Sequence, residues 1–235
     1  EIIPFIGQES AMEYDLTTAI KKISVKDKPS LALIQGHGEP QPNQMIQAMQ
    51  ALSVIYNMES YDLAVEPAIP ARYQAVLLFN PVDSLPYDQY GKLNDYLSKG
   101  GKVIVAANAV NGDLSTASGT VVNHNVFQWL ASLGVNVEPS FVIDAACAKV
   151  TVQQQRTGFF NFASQISFPY IPLMNTFPDH PATKGLEAVL FQFASPIQFS
   201  SGVEGSFFPI VTTSEKAGVQ QAPITFDVQR QWTQA

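Results

Sequence analysis

Three apolar runs, at residues 31–34, 76–79 and 103–107, set the tightest limit on how this chain folds. None is interrupted by a polar residue. The first stops at Gly36-His37-Gly38-Glu39-Pro40 and the second at Asn80-Pro81. A short run without polar alternation reads as a strand covered on both faces, the position of a central strand in a parallel sheet. Between the runs the apolar spacing becomes helical. Ile46, Met49 and Leu52 share one side of a helix expected over 43–54, and Tyr90, Leu93 and Leu97 precede Gly100-Gly101, glycines suited to closing a helix. The succession strand, helix, strand, strand, helix, strand with short loops predicts an α/β fold. It is a flavodoxin-like, doubly wound parallel sheet with right-handed crossovers and helices on both faces.

Upstream, Ser10 and Glu13 form a capping box, and Met12, Leu16, Ala19, Ile20 and Ile23 recur at helical spacing behind it. Val126, Phe127, Leu130 and Leu133 predict a further helix closed at Gly134. Beyond that point short strands are expected near 135–137, 141–143, 149–152, 189–193, 197–199, 208–212 and 224–228, with a loop-rich, aromatic and proline-rich stretch over 159–181. The division expected is an α/β core at 1–134 and a β-rich C-terminal extension at 135–235, packed together because no polar linker separates them. Phe159, Phe160, Phe162, Phe168 and Tyr170 have two readings, an exposed recognition patch or a core.

Composition narrows the function classes. Hydrophobic residues are 46% and charged residues 14% of the chain, which suits a folded globular protein. The formal charge of -7, with 13 Lys and Arg and no basic run, excludes the electrostatic footprint of nucleic-acid binding. The single cysteine, Cys147, excludes an intrachain disulfide and a cysteine-rich metal site, and its setting between small residues suits a buried filler. No stretch reaches the roughly 18 apolar residues of a membrane span. The chain begins with Glu1 rather than Met, so a tether or signal peptide is expected upstream.

In open parallel sheets ligands bind outside the C-terminal ends of the strands, which would bring 36–39, 80–83 and 108–113 to one rim. His37, Glu39, Asn80 and Asn108 are therefore the candidate ligand-binding residues. His37 and Glu39 would suit acid–base work or two zinc positions. The structural alternative is a sharp glycine turn whose His and Glu side chains bond to neighbouring loop backbone. His124 and His180 stand far off without metal-ligand spacing, and neither a phosphate-cradling glycine motif nor a G-x-S-x-G elbow occurs. No catalytic residue, metal site or cofactor is predicted.

Several segments in order resemble the GldG family, gliding-motility auxiliary components of uncharacterised ABC-type transport systems. They are Leu33-Ile34-Gln35-Gly36-His37-Gly38-Glu39, Ile69-Pro70 ahead of the second run, and Leu93-x-x-Tyr96-Leu97-x-x-Gly100-Gly101-Lys102. Trp129-Leu130 before Gly134-Val135, Phe168-Pro169-Tyr170, His180-Pro181-Ala182-Thr183-Lys184-Gly185-Leu186 and Phe193-Ala194-Ser195-Pro196-Ile197 complete the set. The resemblance implies a class I glutamine amidotransferase-like fold, in which active enzymes place a cysteine after the strand matching 103–107. Here that stretch reads Val105-Ala106-Ala107-Asn108-Ala109, so the resemblance implies the fold without the catalysis. It further implies a non-catalytic periplasmic domain, anchored to the inner membrane in the full-length protein, whose partners are ABC transporter membrane subunits or other envelope proteins. A binding module for a small polar ligand or glycan at the rim, and a hydrolase or amidase using His37 and Glu39, are the alternatives.

Overall fold

The computed structural model describes residues 16–17, 19–20, 23–24, 27–153, 163–200 and 207–227. The described residues of 16–24 are helical, and the capping box of Ser10 and Glu13 lies outside the described residues. The chain divides into two compact units, Glu1–Ala107 and Asn108–Ala235. The change of unit thus comes ahead of the division expected at 134/135. The cause is local pairing, because the segment just past 107 forms an antiparallel hairpin rather than continuing the parallel sheet.

The first unit is a four-stranded parallel sheet of β1 (Ser30–Gln35), β2 (Asn57–Asp62), β3 (Tyr73–Phe79) and β4 (Val103–Ala106), in the order β2-β1-β3-β4. Helix α1 (Ile46–Ser53) links β1 to β2 and α2 (Tyr87–Ser98) links β3 to β4. The two crossovers step in opposite directions across the sheet, so right-handed connections put the helices on opposite faces. Leu31, Leu33, Ala75 and Leu77 pack on one face with Met49 and Leu52 of α1. Ile46 does not join them; it is 58% exposed, because the helix starts only there, after a 3-10 turn at Pro42–Gln44. The alternate residues Ala32, Ile34, Val76 and Leu78 are wholly buried on the other face, and α2 buries Tyr90, Leu93 and Tyr96. Lys92 of α2 donates to the carbonyls of Leu63 and Glu66 at 2.6 and 2.9 Å, holding the helix to the link between β2 and β3. Tyr96 donates to the Tyr73 carbonyl at 2.7 Å, and its ring lies 2.3 Å from where a Cβ on Gly101 would stand.

Among its described residues the second unit is β-rich with one α-helix, α3 (Val126–Ser132), closed by Gly134 at φ +87°. Hairpin β5 (Val110–Asp113) and β6 (Ser118–Val121) adds β14 (Ile224–Thr225). β7 (Val135–Val137) pairs with β12 (Ile197–Phe199), and β8 (Ser140–Asp144) with β13 (Ala217–Gln221). β10 (Ala163–Met174) lies between β9 (Cys147–Gln153) and β11 (Val189–Leu190), and all these pairings are antiparallel. The core is a cluster of Val110, Phe141, Phe168, Tyr170, Phe193 and Phe226. Its rings meet mostly edge to face, as for Phe141 with Tyr170 at 5.8 Å and Phe226 at 5.7 Å, the arrangement that ring quadrupoles favour. Phe168 and Tyr170 are therefore core residues; Phe159, Phe160 and Phe162 lie outside the described residues.

The expected loop over 159–181 is corrected by β10, a strand of twelve residues. Phe168, Tyr170, Pro172 and Met174 are buried at alternate positions, with Pro169 buried as well, and the prolines obscure that strand period in sequence. Proline cannot donate to a ladder, and the pairing with β9 shifts register between Ser167 and Pro172. On the other side the Pro172 and Tyr170 carbonyls accept from Phe191 and Phe193, both at 3.0 Å. That contact holds Phe193 in the left-handed region at φ 56°, so the strand expected over 189–193 ends at Leu190. The strand expected at 208–212 reduces to one bridge between Thr176 and Thr212.

Glycine gives the aromatic cluster its room. A Cβ on Gly119 would stand 2.5 Å from the Phe141 ring and 2.8 Å from Ile224, whereas a Cβ on Gly91 of α2 would meet nothing within 4 Å. Gly119→Ala should lower unfolding free energy by about 1–3 kcal/mol through overpacking, and Gly91→Ala should raise it by about 0.5–1 kcal/mol through helix propensity. Denaturant melts of the two variants check both signs.

Candidate functional site

The rim at the C-terminal end of the parallel sheet is built from the turns that follow β1 and β3. Gly36 and Gly38 adopt φ +119° and +78°, which L side chains rarely reach. A Cβ on Gly38 would also lie 2.8 Å from the Val82 Cβ, so both conformation and space demand glycine there. The close approach lets the His37 carbonyl accept from the backbone N–H groups of Val82 and Asp83, both at 2.9 Å. The two turns are thereby latched together.

Glu39 completes the latch. Its carboxylate accepts the His37 backbone N–H at 2.7 Å through Oε2 and faces His37 Nδ1 at 3.1 Å through Oε1. His37 is 6% exposed and Glu39 4%. A carboxylate taken out of water needs such donors, and these two come from its own turn. The Nδ1 contact with the carboxylate holds the imidazole in one orientation. Orientation of a base is half of an acid–base device; the other half is a nucleophile or a bound water in reach. β4 ends at Ala106, followed by Ala107, and Asn80 donates its backbone N–H to the Ala106 carbonyl at 2.7 Å.

Asn80 is exposed and holds φ 41°, a left-handed conformation that asparagine tolerates better than most residues. His37, Glu39 and the turn that begins at Asn80 are thus brought together on one rim. Asn108 belongs to the second unit, where its Nδ2 donates to the Gln192 carbonyl at 3.4 Å and the next residue, Ala109, donates its N–H to Ser195 Oγ at 3.1 Å. The segment expected at the rim beyond Asn108 is instead mostly β5. Asp62, at the end of β2, is the rim residue that sequence reasoning missed: its Oδ1 lies 3.4 Å from a Cβ placed on Gly36 and accepts the Ala64 N–H at 2.7 Å. The polar strand Asn-Met-Glu-Ser-Tyr-Asp gave no apolar run to place it.

The remaining candidates for chemistry are occupied otherwise. Cys147 opens β9 opposite Pro172, and burial pushes its thiol up, away from the reactive thiolate. His180 accepts the Ala182 N–H at 3.1 Å within its own turn. Among the described residues no group of three or more His, Cys, Asp or Glu is placed to hold a metal ion. His124 is buried and stacked on Phe127 at 4.7 Å, with no hydrogen-bond partner for either ring nitrogen among the described residues, and desolvation lowers its pKa. On the first unit, Glu59 accepts from Arg72 at 2.8 Å, Ser30 at 2.9 Å and Tyr73 at 2.9 Å. Those bonds, led by Arg72, hold its carboxyl down at about 2, while burial and then Glu59 push Tyr73 up to about 12.

These observations define a class: an α/β protein with one unit whose rim is latched by a His–Glu turn and a second, β-rich unit with an aromatic core. The chain matches the family described as "ABC-type uncharacterized transport system" over residues 28–235 and belongs to it. No curated protein matches the chain. Its fold is similar to a solved structure described as the "mmIFT52 N-terminal domain", with a TM-score of 0.54 and 12% identity over 83% of this chain and 77% of that one. At that identity the likeness is one of fold alone.

Three stability predictions follow from Glu39, His124 and Glu59. Glu39→Ala strands the His37 N–H and ring in a buried turn and should cost about 1–3 kcal/mol, read as a lower denaturant midpoint. On acidification, unfolded histidine takes up a proton near its ordinary 6.5 before buried His124 does, so stability is full above that pH and falls below it. Glu59 repeats the sign lower down: its contribution is full above the ordinary 4.5 and is lost as pH falls toward about 2. Denaturant midpoints across a pH series should lose the upper slope in His124→Phe and the lower slope in Glu59→Gln.

Proposed function

We propose that the chain is a non-catalytic, extracytoplasmic domain of an ABC transporter auxiliary protein, working through contacts with the transporter's membrane subunits or other envelope proteins. The observation that carries this reading is family membership across 28–235. The rim supports it. Both Glu39 oxygens are engaged by His37, and the stretch where an amidotransferase-like enzyme keeps its cysteine reads Ala106-Ala107-Asn108-Ala109. The strand order β2-β1-β3-β4 agrees with the first four strands of the flavodoxin-like order, which favours that assignment and an amidotransferase-like ancestry for the first unit. A GldG-like identity, a link to gliding motility, periplasmic placement and an inner-membrane anchor outside this chain belong to the same reading, and rest on the segments that resemble that family.

A second reading is favoured by Asn80, exposed in a left-handed conformation beside the latched turn: the rim would take a small polar molecule or a glycan. The two are separated by experiment. Full-length protein extracted from its native membranes should migrate on a native gel with the membrane and ATP-binding subunits of its transport system; migration free of them overturns the first reading. A thermal-shift series with mono- and oligosaccharides should leave the melting temperature unchanged, and a saturable rise that Asn80→Ala removes would establish the second.

A further inference from the structure

The rim of the first unit carries exposed apolar and acidic side chains in pairs. Three large apolar residues stand out from it: Val65 after β2 is 75% exposed, Val82 after β3 63%, and Tyr87 at the start of α2 85%. Each is followed directly by an exposed carboxylate, Glu66, Asp83 and Asp88. Two sets of contacts gather these pairs. The N–H groups of Val82 and Asp83 meet the His37 carbonyl, and Asp62 lies beside Gly36 of the same turn. Lys92 bonds the carbonyls of Leu63 and Glu66 and stands 3.9 Å from the Asp88 carboxylate, joining the turn after β2 to the first turn of α2. No Lys or Arg occurs at 29–71 or 73–91, the stretches that contain all these turns. Among the described residues the side chains of Glu66 and Asp83 make no hydrogen bond or ion pair. Single exposed apolar side chains are ordinary, whereas three interleaved with carboxylates on one rim form a surface suited to contact.

We propose that this rim docks a protein subunit of the transport system through a segment that presents apolar side chains with Lys or Arg beside them. Charge selects that occupant, because each carboxylate belongs to the residue next to an apolar one. Whatever covers Val65, Val82 and Tyr87 comes up against Glu66, Asp83 and Asp88 as well. A neutral apolar segment would desolvate those charges without answering them, and an anionic bilayer would oppose them. A second copy is poorly equipped to answer them. Its Lys28, Arg72 and Lys99, ahead of β1, β3 and β4, are already engaged by the Ser53 carbonyl at 2.6 Å, Glu59 at 2.8 Å and Asp95 at 2.6 Å. A cationic apolar segment meets both features of the rim. The inference rests on the transport-system reading, which supplies the partner.

The test uses tagged full-length protein and the subunits of its transport system, co-purified from detergent extracts. Glu66→Lys/Asp83→Lys and Val82→Ser/Tyr87→Ser should each cut the retained subunit about tenfold or more, and added salt should weaken the wild-type complex. Glu66→Gln/Asp83→Gln, which is gentler on the fold, should weaken it less than charge reversal does. Glu187→Lys and Val219→Ser, exposed positions on the second unit, should leave it unchanged. If either rim pair melts like wild type yet retains the subunit fully, or if the two control variants lose it equally, the docking rim is overturned and the transport reading stands. A wild type that retains no subunit overturns both. The proposal also fails if the rim variants instead abolish a dimer seen in sedimentation equilibrium, or flotation with phosphatidylglycerol vesicles.

Discussion

β1 and β3 must be hidden from water on both sides, and the arrangement of the first unit follows from that requirement. Ala32, Leu33, Ile34, Val76, Leu77 and Leu78 are each no more than 2% exposed, so neither face can be left to solvent. A large aliphatic side chain contributes roughly 1.5–3 kcal/mol when fully buried, and it does so only if a helix or link covers it. Opposite-stepping crossovers meet the demand with one helix per face. They also bring the turns after β1 and β3 out at the same edge, where the glycines of 36–39 let the two turns touch. The edge strands differ: β2 is polar and ends in Asp62, whereas β4 is apolar and partly exposed along its length.

The second unit solves burial differently. Its strands are short and antiparallel, and a few large rings from distant positions fill the centre instead of many aliphatic side chains. Rings of that size leave little tolerance. Gly112 and Gly119 sit on the hairpin where Phe193 and Phe141 press closest, with ring atoms 2.4 and 2.5 Å from a would-be Cβ. Asp144, 1% exposed, ties the end of β8 to a separate loop by accepting from the Ser214 N–H at 2.8 Å and from the Ala146 N–H at 2.8 Å. Aromatic packing and one buried carboxylate thus replace the long-range order that a parallel sheet receives from its crossovers.

What could be read from the sequence was what periodicity reports. Continuous apolar runs marked β1, β3 and β4, and helical spacing with a closing glycine marked α2 and α3. Elements whose burial is partial left no such trace. β2 reads Asn-Met-Glu-Ser-Tyr-Asp and β13 reads Ala-Gly-Val-Gln-Gln, sequences held as strands by their partners rather than by propensity. In β5 and β6 the glycines that make space for rings also erase the apolar alternation. The pairing of His37 with Glu39 was legible as a glycine turn with two polar side chains, but the use of Val82 and Asp83 as its counterpart was not, because that contact joins segments far apart in the chain.

An open parallel sheet ordinarily offers its rim to a ligand because the loops there have nothing else to bind. In this chain the loops bind each other: one carbonyl takes two N–H groups, one carboxylate takes a backbone N–H and a ring, and glycines draw the backbones into contact. Groups engaged in that way hold the rim rigid. Uncovered apolar side chains, which rigid scaffolds present rather than bury, stand on the second unit at Leu190, Ile197, Phe199, Phe208 and Ile210. Burying such side chains against a partner would gain free energy without any new chemistry at the strand ends, which supports the proposed role through protein contacts.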